Sequence, residues 1–213
     1  MMKSQKEVFG IMEKEEMEDS IVLAYRVMKQ DKKKRILYDS GIMPSRSFVR
    51  QFVDCMKVEL SDTNGTAKDV TGTDVNMRGD VYAWDYHYGL HRADAGEHND
   101  DYGILVGTSD TPPDNSDYAL GTPIPDGSES GELEYGEMVF HDVTEEAGYI
   151  EASMRRIFYN AGTENVVVKE IGLVVNQTHE NKNFLWIRDV LGTPVTVEPA
   201  QTLTVQYIMK TKA

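Results

Sequence analysis

Cysteine is nearly absent. The chain of 213 residues has one, Cys55, which excludes an intrachain disulfide and the stapled architecture of small secreted domains. Its apolar neighbours on a helical pattern predict a small buried hydrophobe rather than a nucleophile. Long apolar runs are missing too. No segment approaches the roughly 18 apolar residues of a membrane span, and Met1 to Gly10 lacks the apolar stretch of a secretion signal. The expectation is a soluble protein, made in a reducing cytoplasm, with no membrane partner.

Basic charge is scarce where most of the chain lies. Net charge is −14 overall. Residues 1–60 are balanced, with 12 Lys+Arg against 10 Asp+Glu, so residues 61–213 hold 22−12 = 10 basic and 36−10 = 26 acidic residues, a net −16. An acidic body repels phosphate backbones, which argues against nucleic acid as its partner. Catalytic signatures are lacking as well. There is no Gly-x-Ser-x-Gly elbow, no phosphate-binding glycine loop, and no carboxylate pair set apart by spacing. The chain reads as a non-enzyme without a cofactor.

What is present is strand pattern, most clearly in the last third. Tyr149 to Tyr159 carries Ile150, Ala152, Met154 and Phe158 on one parity, with Glu151, Ser153 and Arg155 on the other. That is the period of a strand with one buried face. Asn160-Ala161-Gly162 makes a turn, since Asn and Gly tolerate positive φ. Further strands follow at Val166–Val175, Phe184–Val190, a short Thr193–Val197, and Thr202–Met209. Upstream, Tyr102 to Thr108 and Glu134 to Thr144 are strand-like. Such spacing predicts an antiparallel sandwich or barrel.

The front of the chain differs. Lys3 to Gln30 is rich in Glu, Lys and Met, with a helix expected over about Glu7–Glu18 and an extended or helical piece after it. Gln30 to Arg35 reads as a solvated charged turn. Pro44-Ser45-Arg46-Ser47 opens a second helix, with Ser45 or Ser47 as its cap. Phe48, Phe52, Met56 and Leu60 recur at i+4, and Val49 and Val53 widen the stripe. A stripe this apolar needs a partner surface, either its own strands or another subunit. Asn64 to Met77 is β-prone. Asp80 to Gly131, with Pro112, Pro113, Pro123 and Pro125, is the least regular stretch and predicts loops that are functional or held by partners.

Trp84-Asp85-Tyr86-His87-Tyr88-Gly89-Leu90-His91 is the densest aromatic cluster. His87 and His91 stand four apart, but no Glu lies between them as zinc-protease chemistry needs, so an aromatic contact segment is the better reading than a metal site. The acidic loops at 94–101 and 110–117 carry calcium-friendly oxygens without the ligand order of an EF-hand, and solvated carboxylates are preferred. Asn64-Gly65-Thr66 and Asn176-Gln177-Thr178 match the glycosylation sequon, read as coincidental without a secretion signal.

The C-terminal series carries a resemblance. Asn160-Ala161-Gly162 is followed by Val168-Lys169-Glu170-Ile171-Gly172-Leu173, then Phe184 to Leu191, Pro194 to Pro199 and Gln201 to Tyr207. Gly103-Ile104-Leu105-Val106-Gly107-Thr108 and Asp117-Tyr118-Ala119-Leu120 precede them in the same order. Together they resemble virion structural proteins of tailed double-stranded DNA phages, of the type with an N-terminal arm or helix and a C-terminal β-sandwich. The likeness covers about half the chain and is a pattern of strands and turns. It implies a structural role on a capsid or tail, in first place as a head-decoration or minor capsid protein. A tail, neck or baseplate protein is the alternative, and a carbohydrate-binding host-attachment module with Trp84 in a sugar platform is the alternative of another class.

The expected fold is thus mainly β, an antiparallel, jelly-roll-like sandwich over 61–213 with long loops at 80–131, preceded by an arm and amphipathic helix over 1–60. The expected partners are copies of the chain, as a trimer, and other virion proteins such as the major capsid protein, with the virion as its location. Phe48, Val49, Phe52, Val53, Met56, Tyr82, Trp84, Tyr86 and Tyr88 form the expected assembly interface. No catalytic residue, cofactor or metal ligand is expected.

Overall fold

The computed structural model of the chain describes residues 21–45, 47–61, 63–77, 91–146, 148–178 and 181–212. Among them the fold is mainly β with a single helix. The first strands are β1 (Ile21–Gln30), β2 (Ile36–Asp39) and β3 (Met43–Pro44), followed by helix α1 (Arg50–Ser61) and the hairpin β4 (Gly65–Lys68) and β5 (Asp74–Met77). Next come β6 (Gly103–Gly107), β7 (Glu134–Tyr135) and β8 (Val139–Glu146). The last third supplies β9 (Tyr149–Tyr159), β10 (Val166–Gln177), β11 (Lys182–Val197) and β12 (Thr202–Lys212).

All named pairings are antiparallel. Sheet A has the order β2-β1-β12-β9-β7, with β3 also on β1 and β8 also on β9; sheet B has the order β11-β10-β6. The last four strands therefore run A, B, B, A. The crossing from β9 to β10 is held by the expected turn, where buried Asn160 donates through Nδ2 to the carbonyls of Glu164 and Val197, each at 2.8 Å. Its Oδ1 accepts the N–H of Gly162, the local bond that makes Asn a turn residue.

One hydrophobic cluster draws from both sheets. Leu23, Tyr25, Val27, Phe158, Leu203, Val205 and Tyr207 come from sheet A, and Ile104, Val106, Val168, Ile171, Leu173, Leu185 and Ile187 from sheet B. Each such side chain contributes about 1.5–3 kcal/mol when removed from water. The alternation expected for β12 is present in Leu203, Val205 and Tyr207, all fully buried. On its other face Ile208 is also buried, against Ala24 and Ile42.

Three differences from the sequence expectation have physical causes. First, the piece after residue 20 is a strand, not part of an arm. β1 pairs with β12 through ten consecutive residues, Ile21 opposite Thr211 to Gln30 opposite Thr202, so a boundary at residue 60 cuts through sheet A. The β-branched and aromatic cluster Ile21, Val22, Tyr25 and Val27 suits a pleated surface and outweighs the charged flanks. The helix expected over Glu7–Glu18 lies outside the described residues. Second, the strands expected at Phe184–Val190 and Thr193–Val197 are one strand. The ladder with β10 resumes at Val195 opposite Val168 after an unpaired stretch holding Gly192 and Pro194, residues tolerated at such an irregularity. Third, α1 starts at Arg50, not at Ser45. Residues 47–49 run alongside β11, with Phe48 bridging Ile187 and the N–H groups of Arg188 and Val49 bonding Ser47 and Trp186 carbonyls.

Candidate assembly surface

The run into α1 is pinned by a buried carboxylate. Asp189 on β11 accepts hydrogen bonds from the hydroxyls of Ser45 (2.8 Å), Ser47 (2.7 Å) and Tyr207 (3.1 Å). The two serines expected to cap the helix are thus spent on Asp189. Burial raises the Asp189 carboxyl above its ordinary range, opposed by those three hydroxyls. Burial also drives the Tyr207 phenol well above its ordinary value, reinforced by the Asp189 charge.

Helix α1 then buries Gln51, Cys55 and Val58, spaced i, i+4, i+7 on one face. Beneath them lie Ala67, Val75, Met77, Val175 and Phe184. Burial pushes the Cys55 thiol up to about 12, so it stays protonated and unreactive at neutral pH. Near the end of the helix, Glu59 meets His91 Nδ1. Burial lowers the His91 pKa, with the Glu59 carboxylate pulling the other way. Among the described residues, Gln51 Oε1, His91 Nε2 and Trp186 Nε1 are buried without a hydrogen-bond partner.

The residues expected to form an interface therefore divide. Val49 is 2 % exposed and belongs to the main core. Phe48 stacks on Phe52 with ring centroids 4.2 Å apart, and Phe52 meets Trp186 edge-on at 5.2 Å, so both lie against the protein's own sheet. Met56 is half-buried, whereas Val53 is 61 % exposed and Leu60 80 %. Val53, Met56 and Leu60 follow at i, i+3, i+7 and make an apolar ridge on the solvent side of α1. Tyr82, Trp84, Tyr86, Tyr88 and His87 lie outside the described residues.

The loops between β5 and β7 are held by the chain itself wherever they are described. Glu170, fully buried on β10, accepts N–H groups of Thr122 (2.8 Å), Gly121 (3.1 Å) and Ser109 (3.3 Å) and bonds Arg188 Nε at 2.9 Å. Arg188 reaches on to Asp117 (2.8 Å) and the Thr111 carbonyl (3.0 Å). Gly107 makes room for this: a Cβ there would lie 2.4 Å from Glu170 Oε1 and 2.6 Å from the Thr122 carbonyl. A second buried cation, Arg156, donates to five backbone carbonyls, those of Gly136, Tyr102, Ile104, Gly96 and Asn99. Its guanidinium sits 4.7 Å from the Tyr135 ring centre, and burial lowers its pKa to about 10.

These clamps also occupy the acidic loops. Asp117 bonds Arg188, Asp110 pairs with Lys169 at 2.9 Å, and Asp114 bonds Ser116. Asp100 accepts the N–H of Asp126. Among the described residues no group of three or more His, Cys, Asp or Glu is placed to hold a metal, and no helix is long and apolar enough to cross a membrane.

A second uncovered surface lies at the β8–β9 end of sheet A. Among the described residues strand β8 is an edge, paired only with β9, and residues 140–145 are all exposed. Its register breaks between His141 and Thr144, a bulge of the kind that blunts an edge against further strands. Phe140 and Val143 are exposed there, as is Ile150 on β9.

No protein family, no curated protein and no solved structure matches this chain.

Proposed function

We propose that the chain is a non-enzymatic structural component of a tailed-phage virion, in first place a head-decoration or minor capsid protein. It works by assembling with copies of itself, as a trimer, and with other virion proteins such as the major capsid protein. In this reading sheets A and B enclose their shared core as an antiparallel, jelly-roll-like sandwich, made in the host cytoplasm and carried on the particle. The strand-and-turn series from Gly103 to Tyr207 supports that reading by resemblance, and the charge clamps support it by making a rigid body of the loops. A tail, neck or baseplate position draws on the same surfaces.

The observation that carries the proposal is the ridge of α1. Its inner face is covered by the protein's own strands, yet Val53 and Leu60 stand out in solvent at 61 % and 80 % exposure. Apolar residues in register on the free side of an anchored helix mark a contact surface. Light scattering on the purified chain tests it. The expected mass is about three times the 24.0 kDa of one chain, falling to one chain in a Val53→Asp, Leu60→Asp variant whose far-ultraviolet circular dichroism is unchanged. A wild-type chain that stays at 24.0 kDa and also fails to bind purified phage heads or tails sinks the proposal.

A further inference from the structure

Strand β9 carries two adjacent arginines that belong to opposite faces of sheet A, because successive strand residues alternate. Arg156 is on the core side, within its cage of carbonyls. Arg155 is on the outer side, with Gln206 of β12 opposite it on one flank and Val139 of β8 on the other. Arg26 of β1 lies opposite Gln206 and continues the row. Each of the other arginines among the described residues has a carboxylate partner or, for Arg156, the cage. Arg155 has neither, although it is half-buried and its Nε is shut off from water without a hydrogen-bond partner. A guanidinium desolvated in this way is costly to leave alone, and it holds an anion more strongly than a hydrated one does.

The surroundings suit a carboxylate. The planar fork of the guanidinium matches two carboxylate oxygens. Ser153, two residues back on the same face, accepts a hydrogen bond from Gln206 Nε2 at 3.1 Å, which leaves the proton of its own hydroxyl to donate. Val139 and Ile157, the next outward residue of β9, stand as apolar shoulders that limit competition from water. Further along the row, Asp39 is already held by Arg26 through two hydrogen bonds. One unpaired cation answers one negative charge, whereas a polyanion meets the repulsion of a chain of net −14.

We propose that Arg155, with Ser153 beside it, anchors a binding site for a carboxylate on the outer face of sheet A. The site stands apart from the virion reading, since its chemistry is the same for a free organic anion and for an aspartate or glutamate side chain of a second copy.

Acetate is the probe, added to the full chain at neutral pH in exchange for chloride at constant ionic strength. In protein labelled with nitrogen-15 arginine, the Arg155 Nε–H resonance is identified by its loss in Arg155→Lys. It shifts and saturates with acetate, while the resonance of Arg188, already bonded to Glu170 and Asp117, holds still. Ser153→Ala raises the half-saturating acetate concentration about tenfold, the effect of losing one hydrogen bond to a charged group. Light scattering on the same samples distinguishes the sources. A mass that acetate leaves unchanged, with the resonance shifting, assigns the site to a free anion. A mass that falls both on adding acetate and in Arg155→Gln assigns it to a side chain of a second copy. Either result upholds the carboxylate site. An Arg155 resonance unmoved by acetate, together with a mass unchanged in Arg155→Gln, overturns the proposal, as does a resonance that responds equally to acetate and to added chloride.

Discussion

Arg188 and Arg156 are both buried, at 2 % and 0 % exposure, and their surroundings answer the charge in opposite ways. Arg188 lies between two carboxylates, Glu170 and Asp117. Arg156 pairs with none among the described residues; five carbonyl oxygens and the face of Tyr135 stand in for them. The first arrangement ties the loop at 108–122 to sheet B through a network with two anions, and the second ties residues 96–104 to sheet A through dipoles. The difference teaches that a long irregular stretch can be rigid without partners, provided its backbone groups converge on a charge fixed in a strand.

The largest break in this comparison is expected at Glu170. Glu170→Ala removes the acceptor for three backbone N–H groups and leaves the Arg188 guanidinium buried with one carboxylate. A loss of about 3–5 kcal/mol in urea unfolding is expected, the usual cost of stranding a buried charge. Arg156→Met is expected to cost less, about 2–4 kcal/mol, because it strands carbonyls rather than an anion. Gly96 is also exposed, so its carbonyl finds water once the arginine is gone. An equal or larger loss at Arg156 would mean that the dipole cage, not the ion network, is the stronger tie.

Much of sheet A and sheet B was legible in the sequence, and the clamps were not. The parity of Leu203, Val205 and Tyr207 told their burial directly, since a half-buried strand has to alternate. Arg156 holds the same parity as Met154 and Phe158, and that position was the one available sign of a buried cation; its five carbonyl partners come from residues 20 to 60 positions away and leave no local pattern. Glu170 was hidden for a similar reason, since the loop N–H groups that converge on it come from residues 48 to 61 positions away. The stripe Phe48, Phe52, Met56, Leu60 misled about α1, because helical spacing was applied to Phe48 and Val49, which precede the helix and run alongside β11. The face that is buried, Gln51, Cys55 and Val58, contains one polar residue and a lone thiol and gives a weak signal. Among the described residues expected at an interface, Val53 alone is exposed.

A third buried charge, Asp189, has neither cation nor cage, only three hydroxyls, and its effect should be smaller and pH-dependent. Its folded carboxyl lies above the ordinary range because of burial. Between the unfolded and folded pKa values the native chain therefore binds the extra proton. Stability falls as pH rises through that window and levels off above it, at about 1.4 kcal/mol for each unit by which the value is raised. Asp189→Asn should flatten this part of the stability curve relative to wild type, measured by urea unfolding at steps from the ordinary carboxylate range upward. A wild-type advantage over the variant that grows with pH in the same window would show that the hydroxyls of Ser45, Ser47 and Tyr207 outweigh desolvation.

The smallest effect on stability is expected on the free side of α1, and there the smallness is the point. Val49 and Val53 are four residues apart, yet 2 % and 61 % exposed. Val49→Asp places an unpaired carboxylate in the main core and should cost several kcal/mol, of the order of the Glu170 loss. Val53→Asp should change the unfolding free energy by no more than about 0.5 kcal/mol, since it removes no packed neighbour. If Val53→Asp nevertheless lowers stability in a way that grows with protein concentration, the missing term is the contact with another molecule, because only association makes unfolding free energy depend on concentration. A concentration-independent loss at Val53 would instead place its partner within the same chain.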